Sequence, residues 1–290
     1  MNKKKIIGLL ILLIGLAVLM FPFLSMIQDD LRQIEAGKHY QETIQKNKKQ
    51  LQEKRKTLEN TTTETQVVQD IFNQSRQEAE QQKSPYANLL DTDQVNGRIS
   101  IPALGQNFDL YLDATYEKIE KGVATLIGTG APLGIPGQRP IIAGHRITYN
   151  DMSFYFLPNL KPGDKIYVTF LDQTLEYEVY DSEVIGEYNS DKLKPFPNED
   201  IITLMTCVNP PNYDQRLLVN ARRVKHTKPL PPKDATLTQF LQTPSVSART
   251  KVERLLPYLI VTLGSIATLY FLRRLVQEIY PKKKNVSIKK

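Results

Sequence analysis

The sequence predicts a mainly β domain closed, or nearly closed, into a barrel, with helices ahead of it and a transmembrane helix on either side. Three observations predict it. Between Val95 and Val224, short β-rich runs are separated by Gly, Pro and Asn clusters, with only short helical pieces between them. Ahead of that region, Asp29 to about Glu59 is rich in Gln, Lys and Glu, which are good helix formers. Two uncharged apolar stretches, Ile6 to Ile27 and Leu255 to Leu272, bracket the whole.

The first apolar stretch follows Lys3, Lys4 and Lys5 and, at about 1.5 Å per helical residue, is long enough to cross a ~30 Å hydrocarbon core. It exceeds the h-region of a signal peptide and no A-x-A-like site follows it, so residues 1–28 are expected to be a cytoplasmic tail and a retained anchor. Residues 29–94 read as a helical stalk followed by a short covering segment, the stalk solvated over Asp29 to about Glu59 and interrupted at Asn60 to Thr63. Thr63 and Gln66 have capping-box spacing, so a second helix to about Gln82 is expected. Its stripe of Val67, Val68, Ile71 and Phe72 is suited to docking on the domain behind it. Ser84-Pro85-Tyr86 ends that helix, because proline disfavours α conformation at the residue before it and lacks an N–H.

Residues 95–227 carry the strands, expected at 97–101, 108–112, 123–127, 140–143, 165–170, 175–184, 201–206 and 216–224. Short helical pieces are expected near Thr115 to Glu120 and Met152 to Leu157. Residues 228–254 are rich in Pro, Thr and Ser and read as an extended linker. The second span, 255–272, contains Pro257 and Gly264, and 273–290 form a basic tail.

At 290 residues, with 41% hydrophobic and 24% charged residues, the composition is that of a folded protein. The net charge of +7 sits in the tails, which carry +3 and +6 and leave residues 6–272 at −2. That distribution argues against nucleic acid as a partner and for a membrane. Positive-inside bias places both termini in the cytoplasm and the barrel outside the cell. In an oxidising compartment, a chain with one cysteine cannot form an internal disulfide. Cys207 is therefore buried and inert, paired with another molecule, or a free functional thiol.

A cysteine nucleophile needs a partner for its proton and a donor for the developing oxyanion. Cys207 ends an apolar run at the edge of the turn VNPPNYDQ, and Arg216 opens the next run, so thiol and guanidinium are expected at one end of a sheet. Arg216 could equally pair with a carboxylate or face solvent. Of the 3 histidines, His39 lies on the polar stalk and His226 lies past the last strand, whereas His145 follows a strand in RPIIAGHR. Gly144 permits a close or unusual backbone approach there. Arg146 should point away from where His145 points. Three scattered histidines and one cysteine cannot build a closed zinc site, and neither a P-loop nor a G-x-G-x-x-G fingerprint occurs, so no metal and no cofactor is expected.

TLMTC at Thr203 to Cys207, then Arg216, with GHR at Gly144 to Arg146 upstream, closely resembles the sortase signature over about Val95 to Val224. The resemblance implies an eight-stranded sortase barrel, with Cys207 as nucleophile, His145 as proton donor and acceptor, and Arg216 as oxyanion or substrate-positioning residue. The second span and the helical segment ahead of the barrel resemble class C, pilin-polymerising sortases. In that class a lid carries Asp-Pro-aromatic, the aromatic covering the thiol and the Asp meeting the arginine. Ser84, Pro85 and Tyr86 lie where the lid is expected, and Ser84 cannot form the ion pair, so the lid should be held weakly. The resemblance implies a Gram-positive surface enzyme acting on secreted pilins or surface proteins with an LPxTG-like motif. A peptidoglycan-anchoring housekeeping sortase, a tethered cysteine protease and a non-catalytic scaffold are the alternatives.

Overall fold

The computed structural model describes residues 3–60, 68, 70–81, 84–146 and 154–280. It divides into two units, Met1–Gln28 with Val252–Lys290, and Asp29–Lys251.

The first unit takes its helices from the N-terminal part of α1 (Lys3–Asn60) and from most of α5 (Ala248–Ile279). Both are long and apolar enough to cross a membrane. Ile7, Ile11, Ile14, Val18, Leu263, Ile266 and Leu269 stand exposed, an apolar surface that water disfavours and lipid accepts. Gly264 is where the two helices approach, since a Cβ there would lie 2.5 Å from Met20 Sδ. The two helices are compatible with membrane anchoring.

The second unit holds eight strands: β1 (Gly97–Ile101), β2 (Gln106–Tyr111), β3 (Val123–Thr125), β4 (Ile141–Ala143), β5 (Lys165–Phe170), β6 (Gln173–Gly186), β7 (Ile201–Val208) and β8 (Gln215–Val224). They close into a barrel in the order β1-β2-β3-β4-β7-β8-β6-β5. Most neighbours are antiparallel, but β4 runs parallel to β7, which brings their C-terminal ends to one rim. A register shift between Val179 and Asp181 lets the 14-residue β6 serve β5 and then follow β8 to that rim. Ile99, Leu110, Ile142, Val168 and Leu204 are among the side chains that fill the core.

Three expectations need correction. The polar helix after the first span is packed on the barrel rather than solvated. Tyr40 Oη donates to Asn96 O at 2.7 Å, Arg55 Nε donates to Asp172 Oδ1 at 2.8 Å, and Ile44 and Leu58 are buried. Its few docking side chains are too dispersed among charges to read as an apolar stripe. The segment 228–254 is not a free extended linker. Leu230 bridges Thr174, Asn107 exchanges two hydrogen bonds with Ala235, and α4 (Leu237–Gln242) buries Phe240. The second stalk helix is shorter than expected, a 3-10 turn at Ile71–Asn73 followed by α2 (Arg76–Gln81), while the short helix expected near Thr115 to Glu120 is α3 (Tyr116–Lys121). Val68, Ile71 and Phe72 do pack against the core, while Thr63, Gln66, Val67 and Met152 lie outside the described residues.

Candidate active site

The barrel rim assembles the three chemistry-bearing residues from neighbouring strands. Antiparallel register puts Cys207 of β7 directly opposite Arg216 of β8, so the two side chains share one face. On the other side, Ala143 pairs with Met205, Gly144 N–H donates to Met205 O at 3.1 Å, and Thr206 Oγ1 donates to Gly144 O at 2.8 Å. His145 thus leaves β4 beside the Cys207 rung. Gly144 serves a close approach: a Cβ there would lie 2.8 Å from the Phe154 ring and 3.0 Å from Val123. Arg146 lies over the Tyr155 ring at 5.9 Å, whereas His145 faces Phe72 at 5.8 Å and Tyr116 at 6.4 Å. His226 instead meets Glu176 at 3.1 Å, and His39 is exposed on α1.

The electrostatics describe a resting site. Burial pushes the half-buried Cys207 thiol up to about 11; Arg216 pulls it down, while Asp70 and Glu187 add to the rise. Burial pushes His145 below the usual histidine range, with Glu120 pulling it up and Arg76 pulling it down. Burial thus favours the neutral form of both groups.

Arg216 is 2% exposed and its donors are occupied. Nε donates to Asp70 Oδ2 at 2.5 Å, one terminal nitrogen to Tyr213 O at 2.7 Å, and the other to Asn73 Oδ1 at 2.6 Å. Phe72 lies 5.5 Å from the guanidinium and also contacts the His145 ring. Asp70, Phe72 and Asn73 therefore cover the site from one short segment. Asp70 Oδ1 accepts the Phe72 N–H at 3.0 Å, which fixes the turn locally. Asn73 Nδ2 donates to Glu187 O at 2.7 Å on one flank, and Tyr116 Oη donates to Gln74 O at 3.1 Å on the other, where Arg76 pairs with Glu120.

This corrects the expected cover at Ser84, Pro85 and Tyr86. Ser84 hydrogen-bonds the Asp113 carboxylate and accepts the Tyr86 N–H at 3.0 Å, and Tyr86 is buried. The residue that meets Arg216 is Asp70. The sequence does contain an acid and an aromatic two residues apart, Asp70-Ile71-Phe72, but Ile71 replaces the proline and the run reads as a docking stripe. Tyr116 and Glu187 carried no motif at all.

Beside Arg216 opens a cavity of about 590 Å³ between the covering segment and the β6–β7 connection, lined in part by Val68, Asp70, Ile185, Glu187, Leu193 and Met205. It is large enough for several residues of an extended peptide.

A family profile described as the Sortase domain matches residues 99–224. Sortase A of Bacillus anthracis is 33% identical over 132 residues, 45% of this chain and 60% of that protein's length. Among solved structures, Sortase C of Streptococcus pneumoniae superposes with a TM-score of 0.61 at 28% identity, covering 68% of this chain and 100% of that one. Sortase C-1 of Actinomyces oris gives 0.54 at 31% identity, covering 61% and 99%. Since the profile runs from β1 through β8 and the likeness takes in nearly all of the A. oris structure, the chain belongs to the sortase family of cysteine transpeptidases.

Proposed function

We propose that the chain is a membrane-anchored transpeptidase that cleaves an LPxTG-like sorting motif and joins the acyl product to a lysine of another pilin subunit. In this reading residues 70–73 are a lid. Moving it frees the Arg216 donors and removes the Asp70 carboxylate from the thiol. His145 takes the Cys207 thiol proton, the thiolate attacks the carbonyl carbon of the Thr–Gly bond, Arg216 donates to the tetrahedral oxyanion, and His145 passes that proton to the leaving amine. A thioester remains on Cys207. A lysine amine attacks it, His145 takes the amine proton, the C–S bond breaks as the amide forms, and His145 returns the proton to the departing Cys207 sulfur. The thioester conserves the energy of the cleaved amide, so no nucleotide is needed.

The observation that carries the reading is the Cys207–Arg216 rung beside His145, with Arg216 donors held by residues 70–73. The pneumococcal structure's own description concerns pilin substrate specificity, which favours a pilin donor here. Basic residues in both tails favour cytoplasmic termini and an extracellular barrel. Mass spectrometry of the products formed with candidate pilins tests the proposal. An amide between the motif threonine and a pilin lysine is expected, whereas a free threonine carboxylate as the sole product would make the chain a protease. Likeness to a protein named Sortase A favours a second reading, anchoring to peptidoglycan. A peptidoglycan-like amine as the preferred acceptor would establish it.

A further inference from the structure

Four rungs below Cys207 and Arg216, on the same face of the β7–β8 pair, Thr203 stands opposite Asn220. A second arginine ends there. Arg139, just ahead of β4, is 2% exposed, and its hydrogen bonds go to neutral oxygens. Nε donates to Thr203 Oγ1 at 2.8 Å and one terminal nitrogen to Asn220 Oδ1 at 2.9 Å. The other terminal nitrogen donates to Lys192 O at 2.6 Å and to Lys194 O at 2.9 Å. Phe196 closes the outer side, its ring centroid 4.7 Å from the guanidinium.

A buried cation bonded to neutral oxygens is an expensive way to fill a core, because desolvation is not repaid by a counter-charge. What arginine adds over an apolar side chain is a rigid planar fork that can hold several elements at once. Here the fork ties two strands to the carbonyls on either side of Leu193. Leu193 is buried with Ile185 and Met205 in the core cluster, and the stretch from Glu187 to Leu193 lines the cavity beside Arg216. The loop is thereby indexed to the strands that carry the thiol and its arginine.

We propose that Arg139 is a positioning residue for the donor peptide. From the outer face of the β7–β8 pair, beneath the loop, it holds the β6–β7 connection as a preformed wall of the cavity, and so sets KM for the sorting motif without touching the reacting atoms. The proposal rests on the reading that this cavity takes the sorting motif.

The test compares Arg139→Lys, which keeps the charge and loses the fork, with Phe196→Ala, which loosens the grip from the half-buried outer side and leaves the barrel intact. Three quantities are measured on the full chain: kcat and KM for an LPxTG-like peptide, the pH profile of Cys207 alkylation, and amide hydrogen exchange. Both variants should raise KM about tenfold while kcat stays within about twofold. The alkylation profile should not move, and exchange should quicken only across 187–199. Unchanged KM, a fall in kcat alone, or faster exchange throughout β7 and β8 overturns the proposal. If Arg139→Lys does not fold, Phe196→Ala carries the same prediction. Ser190→Trp, which fills the cavity from its rim, separates the two ideas. Peptide turnover that survives Ser190→Trp overturns the cavity reading, and with it the role given to Arg139. Turnover lost in Ser190→Trp, with KM unmoved in the other two variants, overturns only the role of Arg139.

Discussion

Two short segments ahead of the barrel have the same local construction and opposite partners. In Asp70-Ile71-Phe72 a side-chain oxygen accepts the N–H two residues on, and in Ser84-Pro85-Tyr86 the Ser84 hydroxyl does the same. Each first residue then reaches across to the barrel. Asp70 finds a buried cation, Arg216, and Ser84 finds a buried carboxylate, Asp113. The turn geometry is therefore neutral as to function. The charge of the barrel residue opposite decides which segment covers the site, and only a carboxylate can hold Arg216 while also raising the thiol.

The strongest test of that contrast starts from its target. Cys207→Ala should abolish cleavage and joining, and retained polymer assembly would sink the mechanism. Next in size is the pair Asp70→Ala and Ser84→Ala. A buried ion pair that loses one partner costs about 3–5 kcal/mol in a fixed site. Opening of the segment relieves that cost, so Asp70→Ala should speed Cys207 alkylation at pH 8 by about tenfold or more and move its inflection below about 11. Ser84→Ala should leave alkylation unchanged and lower Tm by about 4–8 °C, the effect of losing its two hydrogen bonds in a domain of this size. Equal alkylation rates in the two variants would erase the distinction between the segments.

Ser84→Asp sharpens the comparison by giving the second segment the acid of the first. The new carboxylate meets Asp113, whose own carboxyl burial already pushes up, and should destabilise the fold by about 1–3 kcal/mol. Carboxyls raised in the folded state contribute stability below their unfolded pKa values that is lost as pH rises through the folded ones. The deficit of the variant in urea denaturation should therefore be larger at pH 8 than at pH 4.

The same sign applies to the cover. Its closed form holds the Cys207 thiol at about 11, above the open form, so closure is fully favoured below the open-form pKa and loses ground as pH climbs toward 11. The alkylation advantage of Asp70→Ala should shrink over that window. The smallest expected effect is Glu120→Gln, which removes the carboxylate that pulls His145 upward. It should lower the histidine pKa modestly in an NMR titration.

The barrel was legible because strand signals depend on local alternation and on turn residues: β1 lies where the alternating isoleucines of GRISI place it, and β5 where the Ile, Tyr, Val and Thr of KIYVTF do. Cys207, His145 and Arg216 were legible as motif residues, and their meeting follows from register, which no single stretch contains. The cover was not legible at Asp70, because its meaning lies in a partner 146 residues away. Ser84-Pro85-Tyr86 carried the louder local signal. The docking of α1 was missed for a related reason: a handful of contacts such as Tyr40 to Asn96 O leave no periodic trace.

The closed barrel has one more consequence. A sheet with a free edge can capture any extended chain by backbone pairing, whatever its side chains. Here β1 and β5 complete the ring, so the ladder offers an unfolded sorting signal no strand to join. On the extracellular placement proposed above, an enzyme among secreted, partly unfolded polypeptides would thereby be protected from sticking to all of them. Its selectivity is left to side-chain pockets at the rim.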